Sequence, residues 1–278
     1  MIAVLGFASP ARAALSASLT AAAPADTSAM AYSNFVIDTN FGPDNDNQSP
    51  RSLQFDLPKG QLGAVQNATV CTDTNFNNDN CAASSKIGEV LVNGNAVAIG
   101  FVNIDVAAVG GIYRLATTGT EAARIGIVAD DPAAQPLFIV ATMRIRDASS
   151  YGITAYVQNV PNTATADLFG LGVDVDISRM RMTLYGRVGG GGSGNGFMFN
   201  PGECIAATTV ARAYAGVGYT GATLTANRSY TPTNCAGAPY NPSLAFGPAG
   251  TAGHTATAFA VNVTQPYVAT DAKVGSPF

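Results

Sequence analysis

The chain has 278 residues, a formal net charge of −4 at pH 7 and a charged fraction of only 12%. This fraction is about half of the roughly 25% typical of soluble domains, so Thr, Ser, Asn and Gly must supply much of the polar surface. No cluster of five or six Lys and Arg residues is present, and electrostatic binding to nucleic acid needs several phosphate contacts. We therefore expect no nucleic-acid partner. The length suffices for one large domain or two ordinary ones.

The first thirteen residues have features of a secretory leader. The apolar run Met1–Phe7 is followed by Ala11-x-Ala13, a small-x-small cleavage signature. A basic n-region is missing, so we expect residues 1–13 to be a signal peptide truncated upstream. The alternative is an apolar first strand of a cytosolic domain. No later stretch has 18 uninterrupted apolar residues, which predicts no transmembrane segment.

Apolar alternation and turn residues predict a series of short strands after the leader. Residues 53–57 alternate between apolar and polar side chains before a proline. Residues 89–99 indicate two strands joined by a type I′ turn at Asn93-Gly94. Further strands are predicted over 123–128, 137–145, 152–157, 180–188 and 259–263. In the strand at 180–188, Met180, Met182 and Leu184 are expected on one face, with Arg181, Thr183 and Tyr185 on the other.

Many short strands separated by turns predict an all-β fold, an antiparallel β-sandwich of Ig-like or jelly-roll-like architecture. The run GGGGSGNG at 189–196 behaves as flexible coil, and is either an interdomain linker or one long loop. We expect two domains, a β-sandwich over 14–188 and a second β domain over 197–278. Each predicted domain contains one pair of cysteines.

The four cysteines are Cys71, Cys81, Cys204 and Cys235. An even number without a CxxC motif indicates two disulfides formed in an oxidising compartment. The pairing Cys71–Cys81 and Cys204–Cys235 is the simplest of three connectivities, because each loop then closes locally. The other connectivities and four free buried thiols are the alternatives. Each bridge would contribute about 2–4 kcal/mol.

Acidic residues supply the only candidate metal ligands, and the ion they suit is calcium. Asp44-x-Asp46 has the D-x-D spacing but lacks the glycine at position six and the closing glutamate of an EF-hand loop. Asp174 and Asp176 lie on a predicted strand with both side chains on one face. Solvated surface carboxylates are the plainer interpretation of both pairs. We expect no resident cofactor, with Ca²⁺ as the candidate ion.

The single histidine, His254, would have to serve any Ser-His-Asp or Cys-His mechanism. No G-x-S-x-G elbow accompanies it, and an exposed loop histidine is the plainer interpretation. Paired carboxylates would still permit a glycosidase. We therefore expect a non-enzymatic protein, with a secreted hydrolase as the less favoured alternative.

Several sequence blocks resemble a family of exported bacterial surface proteins with repeated cysteine-loop β-sandwich domains of Ig-like type. The blocks are LPKGQLGAV at 57–65, Cys71-Thr72 with Phe76 and Cys81, SKIG at 85–88, NPGEC at 200–204 and NCAGAPYNPSL at 234–244. The resemblance covers most of residues 50–265. It implies an exported β-sandwich surface protein and supplies no catalytic residues.

These observations favour a secreted or extracellular cell-surface protein with a structural or adhesive role, including that of a subunit in a fibre or layer. Its expected partners are further copies of itself, other surface proteins or cell-wall glycan. The alternative is a carbohydrate- or cell-wall-binding module. Tyrosine side chains would then provide stacking surfaces. The candidates are Tyr113, Tyr151, Tyr156, Tyr214 and Tyr219.

Overall fold

The computed structural model describes residues 16–42, 49–98, 102–131, 134–146, 152–166, 171–235, 243–247 and 260–264. Within these ranges the chain is nearly all-β. The strands are β1 (Ser18–Pro24), β2 (Phe35–Asn40), β3 (Ser52–Asp56), β4 (Leu62–Gly63), β5 (Lys86–Ala98), β6 (Val102–Leu115), β7 (Ala123–Asp131), β8 (Ala134–Ile145), β9 (Ile153–Val157), β10 (Thr163–Ala166), β11 (Leu171–Leu184), β12 (Met198–Phe199), β13 (Ala207–Gly216), β14 (Thr220–Tyr230), β15 (Ser243–Gly247) and β16 (Ala260–Thr264). The helical segments are α1 (Asp73–Asn77) and the 3₁₀ turns Val65–Asn67, Ala83–Ser85 and Val188–Gly190. Among the described residues, α1 and the 3₁₀ turns are each far too short to span a membrane.

One large antiparallel sheet contains twelve of these strands. Its order is β1-β2-β11-β5-β6-β7-β8-β9-β3-β13-β14, and β10 pairs with β11 and β8 beside this path. The two end strands, β1 and β14, lie next to each other, so the sheet is nearly closed. Just beyond them the Ala29 N–H donates to the Thr233 carbonyl at 2.8 Å, and the Thr233 N–H donates to the Thr27 carbonyl at 2.9 Å. The predicted all-β, antiparallel class is confirmed.

The architecture is this single nearly closed sheet rather than the expected two-domain sandwich. β13 follows the Gly-rich segment 189–196, yet it pairs with β3, so that Val210 lies opposite Asp56 and Tyr214 opposite Ser52. The pairing is favourable because both strands turn apolar side chains to the same core. Segment 189–196 forms a loop in which the Val188 N–H donates to the Asn195 carbonyl at 2.9 Å.

Side-chain alternation directs one face of each strand into the core. In β3, Leu53 and Phe55 are buried, while Gln54 points away from them. The predicted inward face of β11 is also observed, with Met180, Met182 and Leu184 all buried. The structure extends that strand back to Leu171, well before the predicted start.

The predicted turn at Asn93-Gly94 is wrong. β5 runs without a break from Lys86 to Ala98, and pairs with β6 on one side and β11 on the other. A Cβ at position 94 would stand 2.2 Å from the carbonyl oxygen of Asp176 in β11. The glycine therefore permits a close approach of two strand backbones, beside a bulge between Ile177 and Arg179.

The cysteines pair locally as predicted, and both pairs are at disulfide distance. The Cα–Cα distance is 5.4 Å for Cys71–Cys81 and 5.8 Å for Cys204–Cys235. The first pair closes a loop that contains α1. Phe76 of this helix is buried and packs edge-on against Phe138 of β8, with ring centroids 5.4 Å apart. The first disulfide loop thus covers part of the outer side of the sheet.

Candidate functional site

The outer side of strands β8, β9, β3 and β13 carries a concentration of tyrosine, arginine and amide side chains. We call it the tyrosine–arginine face. Its members are Gln54, Asp56, Thr142, Arg144, Arg146, Thr154, Tyr156, Arg212, Tyr214 and Tyr219. Cross-strand register places Thr142, Tyr156, Gln54 and Arg212 in one row. Because the row crosses three strand spacings, it is about 14 Å long.

Three tyrosines meet at one side of this row. The Tyr219 ring lies 5.6 Å from the Tyr156 ring and 5.4 Å from the Tyr214 ring, both at an interplanar angle of 75°. Such edge-to-face pairs are favourable. They help to hold Tyr219 at a φ of +66°, which is unusual for a bulky residue. Its backbone N–H donates to the Ser52 hydroxyl at 3.2 Å.

The Tyr219 hydroxyl is buried and has no hydrogen-bond partner among the described residues. Burial, together with the neighbouring Tyr156 and Tyr214, raises the pKa of Tyr219 to about 12. By contrast, the Tyr214 hydroxyl reaches the Gln54 side-chain oxygen at 3.2 Å. Tyr219 therefore stays neutral at physiological pH.

Asp56 is the shared hydrogen-bond acceptor in the polar part of this face. It accepts hydrogen bonds from the Thr154 hydroxyl at 2.7 Å, from the Gln54 amide at 3.0 Å and from the Arg212 guanidinium. Arg146 forms a longer ion pair with it, at 3.8 Å. Burial raises the pKa of Asp56, but these hydrogen bonds outweigh burial and hold the pKa below its usual value. Asp56 therefore keeps its negative charge and fixes Arg212.

The tyrosine–arginine face is positively charged, although the whole protein is acidic. It contains three arginines and one aspartate. Arg146 and Arg212 form ion pairs with Asp56. Arg144 is exposed and lies over the Tyr156 ring, 5.8 Å from its centroid. The Arg144 charge is thus available to a ligand beside an aromatic ring.

The structure brings together three of the five tyrosines proposed for stacking. Tyr113 instead packs with the buried cluster around Phe76, and Tyr151 lies outside the described residues, as does His254. Sequence analysis missed Gln54, Asp56, Arg144 and Arg212. A signal was present at 211–214, where the run Ala-Arg-Ala-Tyr alternates small inward residues with large outward ones.

The calcium candidates on β11, Asp174 and Asp176, lie as predicted on one outward face, since Val173, Val175 and Ile177, which alternate with them, are buried. Asp176 lies opposite Asn95, and Asn95 lies opposite Asp105 on the next strand. The described residues contain no group of three His, Cys, Asp or Glu that could hold a metal. A calcium role for Asp174 and Asp176 stays a prediction.

Asp44 and Asp46 lie outside the described residues. The described residues that flank them are anchored to β11. The Phe41 N–H donates to the Ser178 carbonyl at 2.8 Å, and the Ile177 N–H donates to the Ser49 hydroxyl. A calcium role for Asp44 and Asp46 also stays a prediction.

A second notable surface is the outer edge of β14, which we call the β14 edge. Every residue of β14 except Tyr230 is exposed or half-buried. Among the described strands β14 pairs only with β13, and β1 pairs only with β2. The two end strands are therefore neighbours that share no hydrogen-bonded ladder.

No protein-family model, curated protein or solved structure matches this chain. What its surfaces can do must therefore be judged from their own chemistry. An unpaired strand edge can accept another strand, and half-exposed tyrosines beside arginine and amide groups can bind a polar ligand.

Proposed function

We propose that this protein is an exported, non-enzymatic component of the cell surface with a structural or adhesive role, acting as a subunit of a fibre or layer. The observation that carries the proposal is the β14 edge, which β1 approaches without forming a hydrogen-bonded ladder. This strand is eleven residues long, contains no proline and has Arg228 as its one charged residue. Long, weakly charged edges that lack proline are templates for strand addition from another chain.

Several features support export to an oxidising compartment. Two disulfides in one chain are typical of secreted proteins and rare in the cytosol. The apolar run and small-x-small signature within residues 1–13 agree with a leader. The resemblance to exported surface proteins with cysteine loops also favours export. A low surface charge also gives copies little mutual repulsion.

Association of the purified protein tests the proposal. We expect light scattering to show particle mass rising with concentration for the wild type. A Thr223→Lys/Thr225→Lys variant adds charge along the β14 edge and should need at least about tenfold more protein to associate. Thr208→Lys/Ala215→Lys places the same two charges at exposed positions of β13, one strand inward, and serves as the matched control.

A strictly monomeric wild type at high concentration would argue against assembly. So would association that the edge variant and the β13 control weaken equally, because the β14 edge would then have no special role. Electron microscopy of the associated sample distinguishes ordered fibres or layers, as the proposal expects, from amorphous aggregate.

Carbohydrate binding is the second candidate function. The observation that favours it is the convergence of Tyr156, Tyr214 and Tyr219 on the tyrosine–arginine face. Aromatic rings offer stacking surfaces to sugars, and the neighbouring Gln54 offers hydrogen bonds. Adhesion to cell-wall glycan would combine both roles.

A further inference from the structure

We propose that the tyrosine–arginine face binds a polysaccharide whose sugars carry carboxylate groups. The inference rests on the second proposed function, carbohydrate binding, and adds the charge of the ligand. It depends on three properties of this face, which are its rings, its polar row and its excess of positive charge.

The rings supply the apolar contact. Tyr156 and Tyr214 are half-buried, so each retains accessible surface, and each is braced by Tyr219. Bracing lowers the entropy that a ring would lose on binding, because its orientation is already set. Rigid aromatic surfaces with polar rims suit ligands that have apolar C–H faces and hydroxyl edges, as sugars do.

The polar row supplies hydrogen bonds to hydroxyl groups. Thr142 and Gln54 lie in cross-strand register on either side of Tyr156. Gln54 is oriented by its hydrogen bonds to Asp56 and Tyr214. A row about 14 Å long on a rigid sheet matches an extended oligosaccharide better than a compact ligand.

The charge selects carboxylates. Arg146 and Arg212 already neutralise Asp56, and no carboxylate of the described residues forms a salt bridge with Arg144. An exposed guanidinium beside an aromatic ring can form a charge-assisted hydrogen bond with a carboxylate while the ring contacts the sugar. This placement favours acidic sugars over neutral ones.

A protein partner fits this face less well. Protein interfaces are built around a desolvated apolar centre with a polar rim. The central row here is Thr142, Tyr156, Gln54 and Arg212, without a large aliphatic side chain. Docking of a second copy through this face would instead appear as self-association that Arg144→Gln abolishes.

The test measures binding of the disulfide-bonded protein to polygalacturonate, alginate and hyaluronan, each compared with its own methyl ester. Esterification keeps the sugar backbone and removes the charge. We expect at least one acidic polymer to bind at least about tenfold more tightly than its ester, with affinity falling as salt is added.

Variants locate the site. Arg144→Gln should weaken binding to the acidic polymer about tenfold and leave ester binding unchanged. Tyr156→Leu keeps the bulk but removes the tyrosine ring, and should weaken both forms. Arg181→Gln removes an exposed arginine on β11, away from this face, and should change neither. Thermal melting of each variant verifies that it is folded.

Equal binding of polymer and ester would overturn the acidic preference and leave carbohydrate binding in place. Absence of binding to every polymer would overturn both. If Arg181→Gln weakens binding as much as Arg144→Gln, the assigned location is wrong. If Arg144→Gln instead abolishes self-association without polymer, the face is a contact between copies and the proposal fails.

Discussion

Gly94 of β5 lies against the backbone carbonyl oxygen of Asp176 in β11, so that a Cβ at position 94 would stand 2.2 Å from that oxygen. The contact occurs inside the large sheet, beside the bulge between Ile177 and Arg179. Backbone atoms cannot move aside as a flexible side chain can. The close approach of these two strands therefore depends on the missing side chain.

Gly94→Ala should destabilise the protein by about 1–3 kcal/mol, the usual cost of inserting a methyl group into a tightly packed position. Gly191→Ala is the matched control, because a Cβ at position 191 would have no atom within 4 Å and the φ of −87° there suits alanine. Urea unfolding measures both. Equal stability of the two variants would show that β5 and β11 do not approach each other this closely.

Phe76 should anchor the first disulfide loop to the sheet. It is the one buried residue of α1, packs against Phe138, and lies where a Cβ at Gly126 would be 2.4 Å from its ring. Phe76→Ala should cost about 3–5 kcal/mol. Asn77→Ala, on an exposed position of the same helix, should change the free energy of unfolding by less than about 0.5 kcal/mol. A small effect of Phe76→Ala would mean that the first disulfide loop does not pack against the sheet through this residue.

Removal of the disulfides should destabilise the protein, and the loss should rise slowly, as the logarithm of loop length. Their sequence separations are 10 and 31 residues, for which the chain-entropy relation gives losses of about 3 and about 4 kcal/mol. The variants are Cys71→Ala/Cys81→Ala and Cys204→Ala/Cys235→Ala. Urea unfolding of each, compared with the wild type, measures the loss. Unchanged stability in either variant would contradict a closed bridge at that pair.

Acid should destabilise the protein through Asp38 and Asp56. A hydrogen bond from Arg179 holds the pKa of Asp38 below its usual value against the effect of burial, and the pKa of Asp56 is also lowered. The unfolded chain, with an aspartate pKa of about 3.9, then takes up protons first as the pH falls. Both residues make their whole contribution to the free energy of unfolding above about pH 5. This contribution is lost as the pH falls through their native pKa values.

Melting temperatures between pH 7 and pH 2 measure this loss. Asp38→Asn and Asp56→Asn should each lower stability at pH 7 and flatten its decline in acid, because the substituted side chain no longer titrates. A decline as steep in both variants as in the wild type would assign the acid sensitivity to other groups.

Local patterns predicted the strands whose inward faces alternate clearly, such as β3 with Leu53 and Phe55. They failed at Asn93-Gly94, because a glycine required by a neighbouring backbone looks the same in sequence as one required by a turn. The contact that distinguishes the two comes from Asp176, about eighty residues away. Only tertiary structure supplies that information.

The tyrosine–arginine face could be predicted only in part. Stacking by Tyr156, Tyr214 and Tyr219 was proposed from residue type alone. Their meeting depends on the pairing of β13 with β3 and of β3 with β9. Those pairings join segments about 100 and 160 residues apart in the chain, and no local signal encodes them. The same non-local pairing produces one nearly closed sheet where a two-domain sandwich was expected.

We propose that the protein is exported and functions with both disulfides formed. The most direct test is peptide mapping of native material, alkylated at once and digested without reduction. We expect one peptide pair linking Cys71 to Cys81 and another linking Cys204 to Cys235, with no alkylated cysteine. Four alkylated thiols in material taken from the cytosol would contradict it.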